Sequence, residues 1–312
     1  MKLRRAKGKL FALFLSLTLL LGVTSVGVSA EGIAPNHLGE MSTSLDPNGR
    51  VYKTLAGFAN KGLWNYQRLN LSIGGKTLSQ KGFVYNGVIY IPFRLAAGAI
   101  SGSTYSYDSS TRTATMRSPS LEIVAGDGCF VTYANGRVLF NTTPNVIMSD
   151  GRMYIPATVF AKAVGMSVNS DKNQVSISGA YSPIMSADKF YRSDEVFWLA
   201  RIIHAESRGE PLIGQIAVGS VVMNRVKSAY YPNTIYGVIF DRKYGVQFSP
   251  ILDGSIYNTP GYNATLAAKI CLEGYNVSDG AFFFLNVRLA TSSWIPKTRE
   301  YVFTIGNHDF YK

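Results

Sequence analysis

Between Pro211 and Val226 the chain is apolar almost all round. Ile213, Ile216, Val218, Val221, Val222 and Val226 surround the helical cylinder, and Gly214, Ala217, Gly219 and Ser220 keep its surface low enough for close neighbours. A helix with no polar stripe must be buried on every side, so the surrounding domain has to be built about it. Pro211 suits the first helical position, where its missing N–H costs nothing. The segment just before has a different pattern. In Val196 to Glu206, the residues Val196, Leu199, Ile202, Ile203 and Glu206 share one helical face, with Asp194 and Arg201 roughly opposite on the wet side. Ser193 is an apt N-cap, Asp194 and Glu195 follow in the first turn, and Gly209 and Pro211 end the helix.

Glu206 therefore occupies a position where the pattern calls for an apolar residue. A carboxyl facing inward at the last turn meets desolvation and the negative helix end, and both favour its protonated form. Such a group can act as a general acid. It can equally be a carboxylate tied to an Arg or a backbone amide at the core edge.

The 312 residues allow two domains, and 46% hydrophobic with 16% charged residues is the composition of a globular chain with real cores. Lys2, Arg4, Arg5, Lys7 and Lys9, the apolar run Leu10 to Val23 and Val28-Ser29-Ala30 form a signal peptide over residues 1–30. The run of about 14 residues is short of the ~20 a span needs, and no later stretch could cross a membrane. The reading is a secreted protein. Removing the five basic residues of the signal leaves +7 of the formal +12. A basic exported protein suits an anionic matrix, and no basic stripe tracks a nucleic acid. Cys129 and Cys271 read as small buried residues, not a disulfide.

Residues 31–70 are a leader or linker. From 71 to 180 alternating apolar residues and turn punctuation predict a β-rich module with an internal repeat. Asn86-Gly87-Val88-Ile89-Tyr90-Ile91-Pro92 matches Asp150-Gly151-Arg152-Met153-Tyr154-Ile155-Pro156. Each copy runs turn, strand, Pro, short helix (Phe93 to Ile100; Ala157 to Val164), then a hairpin about an Asp turn. This span has no His and one Cys, so it lacks a copper or zinc ligand set. It reads as a wall-binding or partner-binding module or as a spacer. Residues 181–192 are a linker, and 193–312 a mainly helical domain. In that domain Ile235 to Phe240 is a short helix or strand, Asn263 caps a helix to about Gly274, and Gly280 to Asn286 is a strand. A Ser/Thr-rich loop leads to Trp294-Ile295-Pro296, and Tyr301 to Ile305 and His308 to Tyr311 are strands.

The chemistry narrows by residue type. Three histidines, His37, His204 and His308, with no His-Glu-x-x-His helix, make a metal hydrolase a poor fit. No nucleophile elbow or phosphate loop is present, and nothing places Cys271 near His308. Carboxylate chemistry on a glycan remains. Glycosidases usually pair two carboxyl groups. Glu195 lies some 16 Å along the helix from Glu206 on the usual rise, Glu210 fits the start of the buried helix, and Asp241 and Asp253 stay open as partners. One acid suffices if the substrate supplies the nucleophile.

Two resemblances sharpen this. The duplicated unit resembles the module named after the N-terminal domain of copper amine oxidases. Trp198 to Ile203, Ala205 to Pro211, Gly214-Gln215, Ala217 to Gly219, Asn224 to Val226, Gln247 to Pro250, Phe282 to Asn286, Trp294 and Ile305 to His308 resemble the spore cortex-lytic enzyme family of cell wall hydrolases. That resemblance spans about Ser193 to Lys312, and Ser207 stands where many members have Ala. It implies an α+β chain whose β-rich module precedes a lysozyme-like, lytic-transglycosylase-like domain acting on peptidoglycan, without a cofactor or metal. It implies cleavage after N-acetylmuramic acid with a 1,6-anhydro product, Glu206 as catalytic acid, and Gln247, Phe248, Ser249, Asn286 and Trp294 along the glycan cleft. A hydrolytic muramidase or glucosaminidase and a non-catalytic wall-binding scaffold stay open. So does a wall or spore-coat protein as a partner of the module, which is not the peptidoglycan-binding repeat some members carry.

Overall fold

The computed structural model describes residues 67–141, 146–243, 245–290 and 294–312, and a two-residue ladder pairing Ser44–Leu45 (β1) with Val51–Tyr52 (β2). The expected signal peptide and most of the leader lie outside the described residues.

Alternation builds the first unit. Arg68–Ile73 (β3) buries Leu69, Leu71 and Ile73 and exposes Asn70, so the strand begins ahead of the boundary expected at 71. Lys76–Thr77 (β4) and Gly82–Tyr85 (β5) pair with β3, and Val88–Pro92 (β6) returns beside β5. The turn between β5 and β6 places Asn86 and Gly87 at φ of 46° and 74°, the left-handed pair that a two-residue hairpin with strand-like twist requires. Phe93–Ala99 (α1) follows. Thr104–Asp108 (β7), Thr113–Ser118 (β8), Leu121–Gly126 (β9), Val131–Ala134 (β10) and Arg137–Phe140 (β11) then form an antiparallel sheet in the order β11-β10-β9-β8-β7. The second copy runs Ile147–Ser149 (β12), Arg152–Pro156 (β13), Ala157–Val164 (α2), Ser167–Ser170 (β14) and Gln174–Ser178 (β15).

The copies meet at equivalent residues. β6 pairs with β13 antiparallel, Ile91 opposite its equivalent Ile155, while the rings of Phe93 and Phe160, which are not equivalent in the repeat, lie edge to face. They part at their hairpins: β15 folds back parallel to β3, whereas β7 and β8 join the other sheet. Duplicated sequence thus yields two different strand environments.

The second unit consists of Ala187–Phe190 (α3), Ser193–Ser207 (α4), Leu212–Lys227 (α5), Ile235–Ile239 (α6), tight turns at Ser249–Ile251 and Ser255–Tyr257, and Tyr262–Leu272 (α7). Phe283–Asn286 (β16), Trp294–Thr298 (α8), Tyr301–Ile305 (β17) and His308–Tyr311 (β18) complete it, in a sheet ordered β16-β18-β17. Every residue from Leu212 to Val222 is buried, as an all-apolar helix demands. A Cβ on Gly219 would sit 2.7 Å from Ile203 Cδ1 and 2.8 Å from Cys271 Sγ, so α4 and α7 both close on α5 at this glycine. Both cysteines are buried.

Several local expectations need correction. Arg192, not Ser193, is the residue ahead of α4, and no side chain caps that end. Pro211 precedes α5, whose first residue is Leu212. Gly261 precedes α7, so Asn263 lies inside the first turn instead of capping it. Trp294 opens a short helix, an element the sequence reading left unassigned. Arg201, half-buried on the outer side of α4, is not left to water alone: its guanidinium donates to the carbonyls of Ile256, Tyr257 and Asn258 and lies over Phe197.

The largest departure is the linker. Ser182 and Ile184 donate backbone N–H groups to Val164 and Ala163, and Ala187 donates to Asn135. Gly165 sits at φ 71° because the Ser182 carbonyl occupies the place of its Cβ. The exposed edge of the five-stranded sheet, β11, is covered by α7, which removes a free strand edge. Val131 and Val138 join the core formed by α4, α5 and α7, and Phe140 meets Tyr275 edge to face. The first unit keeps its own core, around Leu71, Ile91, Phe93 and Phe160, and lends Val131 and Val138 to that of the second.

Candidate active site

Glu206 stands in the last full turn of α4, half-buried, on the face carrying the buried Leu199, Ile202 and Ile203. Burial pushes its carboxyl up from 4.5, the negative charge of Asp253 adds to this, and Arg225 opposes it; the outcome is about 7. At neutral pH the group is thus poised between acid and base, the condition for proton transfer in both directions.

Arg225, in the last turn of α5, is the residue the sequence reading passed over. Its signals were a lone Arg in an apolar helix and its place in the family-like block Asn224 to Val226, neither of which gave it a role. It is buried, its Nε donates to the Phe282 carbonyl at 2.8 Å, and its guanidinium faces the rings of Tyr231, Phe248 and Phe283 at 5.2, 5.2 and 5.5 Å. Aromatic faces stabilise a cation that has lost its water. A fixed buried cation near Glu206 favours its ionised form once the proton has left.

The expected cleft residues divide. Phe248 is 2% exposed and packs with Phe284, so it is a wall beneath the surface, not an open face. Gln247 is half-buried, with Nε2 bonded to the Gly245 carbonyl, and Ser249 is exposed at the start of the turn that packs against α4. Asn286 ends β16, its Oδ1 accepting the Arg288 N–H and its backbone opposite His308. Trp294 is half exposed and shares Arg299 with Phe283.

The alternative carboxylates also separate. Glu195 is at the far end of α4, 3.9 Å from Arg192. Asp241 accepts from the Lys243 N–H. Asp253 is exposed, accepts the Ser255 N–H at 2.8 Å and is held below the usual carboxylate range by the Ser255 hydrogen bonds, so it is ionised and its charge acts on Glu206. Burial lifts the Cys271 thiol to about 12, and His308 is engaged with Glu210, so no Cys-His nucleophile forms. His204 accepts from the Gly261 N–H. Among the described residues no three His, Cys, Asp or Glu side chains are grouped to hold a metal, and no helix is long and apolar enough to cross a membrane. A shallow cleft of about 490 Å³ opens between α3, α4 and α7, past Phe197, Arg201 and Lys269, and does not include Glu206.

Residues 209–311 match the family described as Cell Wall Hydrolase. The chain carries a cell wall hydrolase domain. Residues 72–178 of the same chain match the copper amine oxidase N-terminal domain, over the duplicated unit. Glu206 stands just ahead of the span matched by the hydrolase family. The spore cortex-lytic enzyme of Bacillus cereus is 40% identical over 122 residues, 39% of this chain and 46% of that protein. That of Bacillus subtilis is 35% identical over 120 residues, 38% of each. The chain spans less than half the length of these curated relatives. The solved catalytic domain of the germination-specific lytic transglycosylase SleB from Bacillus anthracis is 40% identical, with 39% of this chain and 97% of that one covered and a TM-score of 0.36.

Proposed function

We propose that this protein cleaves the glycan strands of peptidoglycan as a lytic transglycosylase, with Glu206 as its single general acid and base. The observation that carries the reading is a half-buried carboxyl at the end of α4, raised to about 7 and flanked by a buried arginine. The protonated Glu206 gives its proton to the glycosidic oxygen as the bond from muramic acid C1 breaks. The resulting carboxylate, favoured by Arg225, then takes the proton of the muramic acid 6-hydroxyl as that oxygen bonds to C1. The ring closes as a 1,6-anhydro sugar, the leaving strand keeps the first proton, and Glu206 ends protonated. No water is consumed. Gln247, Ser249, Asn286 and Trp294 would hold the strand, with Phe248 supporting them from beneath.

The cortex-lytic relatives favour spore cortex or wall as the site of action, after export. The packed junction fits a first unit that orients the enzyme against the wall or a wall protein. Digestion of purified sacculi followed by mass spectrometry tests the reading: muropeptides ending in anhydro-muramic acid are expected. Reducing muramic or glucosamine ends would sink it. A second reading, hydrolysis, has one specific observation in its favour, the charge of the ionised Asp253 acting on Glu206.

A further inference from the structure

Just after Glu206 the chain places a second inward carboxylate that the proposed chemistry does not use. Glu210 sits in the corner between α4 and α5 and is 8% exposed. Its own N–H donates to the Ser207 carbonyl at 2.9 Å, and Gln215 Nε2 donates to its carbonyl at 2.9 Å, so its backbone belongs to the corner. Its side chain points elsewhere, to the tip of the β17–β18 hairpin. There the Asn307 N–H donates to Oε2 at 3.1 Å, Asn307 Nδ2 donates to Oε1 at 2.9 Å, and His308 Nδ1 lies 3.5 Å from Oε1. Gly306 takes φ 59°, and a Cβ there would fall 1.8 Å from Glu210 Oε2, so the tip approaches as closely as a backbone can.

From this clamp the structure continues into the other wall of the site. His308 is opposite Asn286 in the β16–β18 ladder and meets Phe284 edge to face at 5.6 Å. One buried side chain therefore joins the end of the helix that bears Glu206 to the strand that ends in Asn286. Removing water from a carboxylate is expensive unless its oxygens are hydrogen-bonded. Here the hydrogen-bond partners are an amide N–H and a carboxamide, with an imidazole nitrogen at 3.5 Å and, among the described residues, no Lys or Arg bonded to it. A solvent-facing ion pair would have spared that cost, so the arrangement fits a role in geometry better than one in stability.

We propose that Glu210 is a positioning residue for glycan cleavage. It fixes the hairpin tip to the α4–α5 corner and so sets the distance between Glu206 and the strand-binding edge at Asn286. The proposal rests on Glu206 being the acid. Losing the clamp would let the two walls separate, and a misplacement of ~1 Å at a reacting centre costs roughly 10²-fold in rate.

The test compares wild type with Glu206→Gln, Glu210→Ala, Glu210→Gln and Asn307→Ala in the full chain, following muropeptide release from sacculi below each melting temperature, with near-UV circular dichroism as the check of fold. Folded Glu210→Ala is expected to lose roughly 10²-fold in kcat with KM little changed. Glu210→Gln, which still accepts the Asn307 N–H, should recover most of the loss. Combining Glu210→Ala with Asn307→Ala should cost no more than Glu210→Ala alone, because both remove the same contact. A folded Glu210→Ala with wild-type kcat overturns the proposal. If that variant does not fold, Asn307→Ala decides: unchanged turnover overturns it and reduced turnover supports it. A fully active Glu206→Gln would remove the reading beneath it, whereas an inactive Glu206→Gln beside a fully active Glu210→Ala would remove the clamp alone.

Discussion

Arg137 and Glu273 form a two-pronged ion pair, Nε to Oε1 at 2.8 Å and Nη2 to Oε2 at 2.7 Å, across the junction between the duplicated unit and the hydrolase domain. Arg137 lies in edge strand β11, and Glu273 follows the last residue of α7, where the helix end repels a carboxylate. Both side chains are under 10% exposed. Lys162 adds a second cation at 3.1 Å, the Tyr191 hydroxyl donates at 2.8 Å, and Phe190 stacks on the guanidinium. A buried pair of this kind is weak evidence for stability, but breaking it leaves a stranded charge.

Glu273→Ala should therefore destabilise the protein by about 3–5 kcal/mol. Burial raises the Glu273 carboxyl, but hydrogen bonds from Arg137 and Tyr191 and the charge of Lys162 outweigh it, so its folded value lies below 4.5. The linked stability is present above pH 4.5 and is lost as the pH falls through the folded value. Thermal melts of wild type should fall steeply below pH 4.5, and those of Glu273→Ala less so. A single calorimetric transition for both units is expected in wild type, since Val131 and Val138 belong to the hydrolase core. Two separated transitions would contradict the coupling of the two cores through this junction.

The pH dependence of cleavage follows from Glu206. Its protonated form is the acid, and it is lost as pH rises through about 7. kcat/KM on sacculi should be flat on the acid side of 7 and fall about tenfold per pH unit above it, the limit for one essential proton. A rate still rising at pH 8.5 would exclude Glu206 as the acid.

Glu206→Gln should abolish cleavage and at the same time stabilise the fold. Between pH 4.5 and 7 the folded carboxyl holds a proton that the unfolded chain releases, so native stability declines as pH rises through that window. A neutral amide escapes this penalty, on the order of 3 kcal/mol at pH 8 from the size of the shift. That corresponds to a melting point higher by several degrees for a protein of this size. The gain should vanish near pH 4. Differential scanning calorimetry at pH 4 and pH 8 separates the two cases.

What was legible in the sequence was local. The Asn86-Gly87 and Asp150-Gly151 turns, the strands Tyr301 to Ile305 and His308 to Tyr311, and the wholly buried α5 follow from turn chemistry, period-two alternation and an apolar surface. What was not legible depends on partners far along the chain. Nothing near Arg137 points to Glu273, so a hydrogen-bonded junction read as a linker. Phe248 lies in a Gln-Phe-Ser-Pro turn that looks open, yet the ring fills space beneath Phe284 and Arg225. Glu210 read as a charge at a helix start, because its partners Asn307 and His308 come from the far end of the domain. The position of Glu206 was inferred from one residue out of pattern; its surroundings, Arg225 above all, needed the fold.

Asp253→Asn distinguishes the two chemistries that Glu206 could serve. The Asp253 charge helps to keep Glu206 protonated, so its removal should move the falling limb of the rate profile to lower pH, and added salt should weaken the effect because Asp253 is exposed. In a transglycosylase that is the whole consequence: below the limb, kcat stays within about threefold of wild type, since the substrate hydroxyl is the nucleophile and no second carboxylate takes part. In a hydrolase, where Asp253 would activate water or attack the sugar, the same substitution should cost roughly 10²–10⁴-fold at every pH. Rates at pH 5.5 with product masses from the same digests decide the matter. Anhydro ends with near-normal turnover support the one-carboxylate mechanism. Collapse of the rate together with reducing ends in the wild-type digest would transfer the catalytic pair to Glu206 and Asp253.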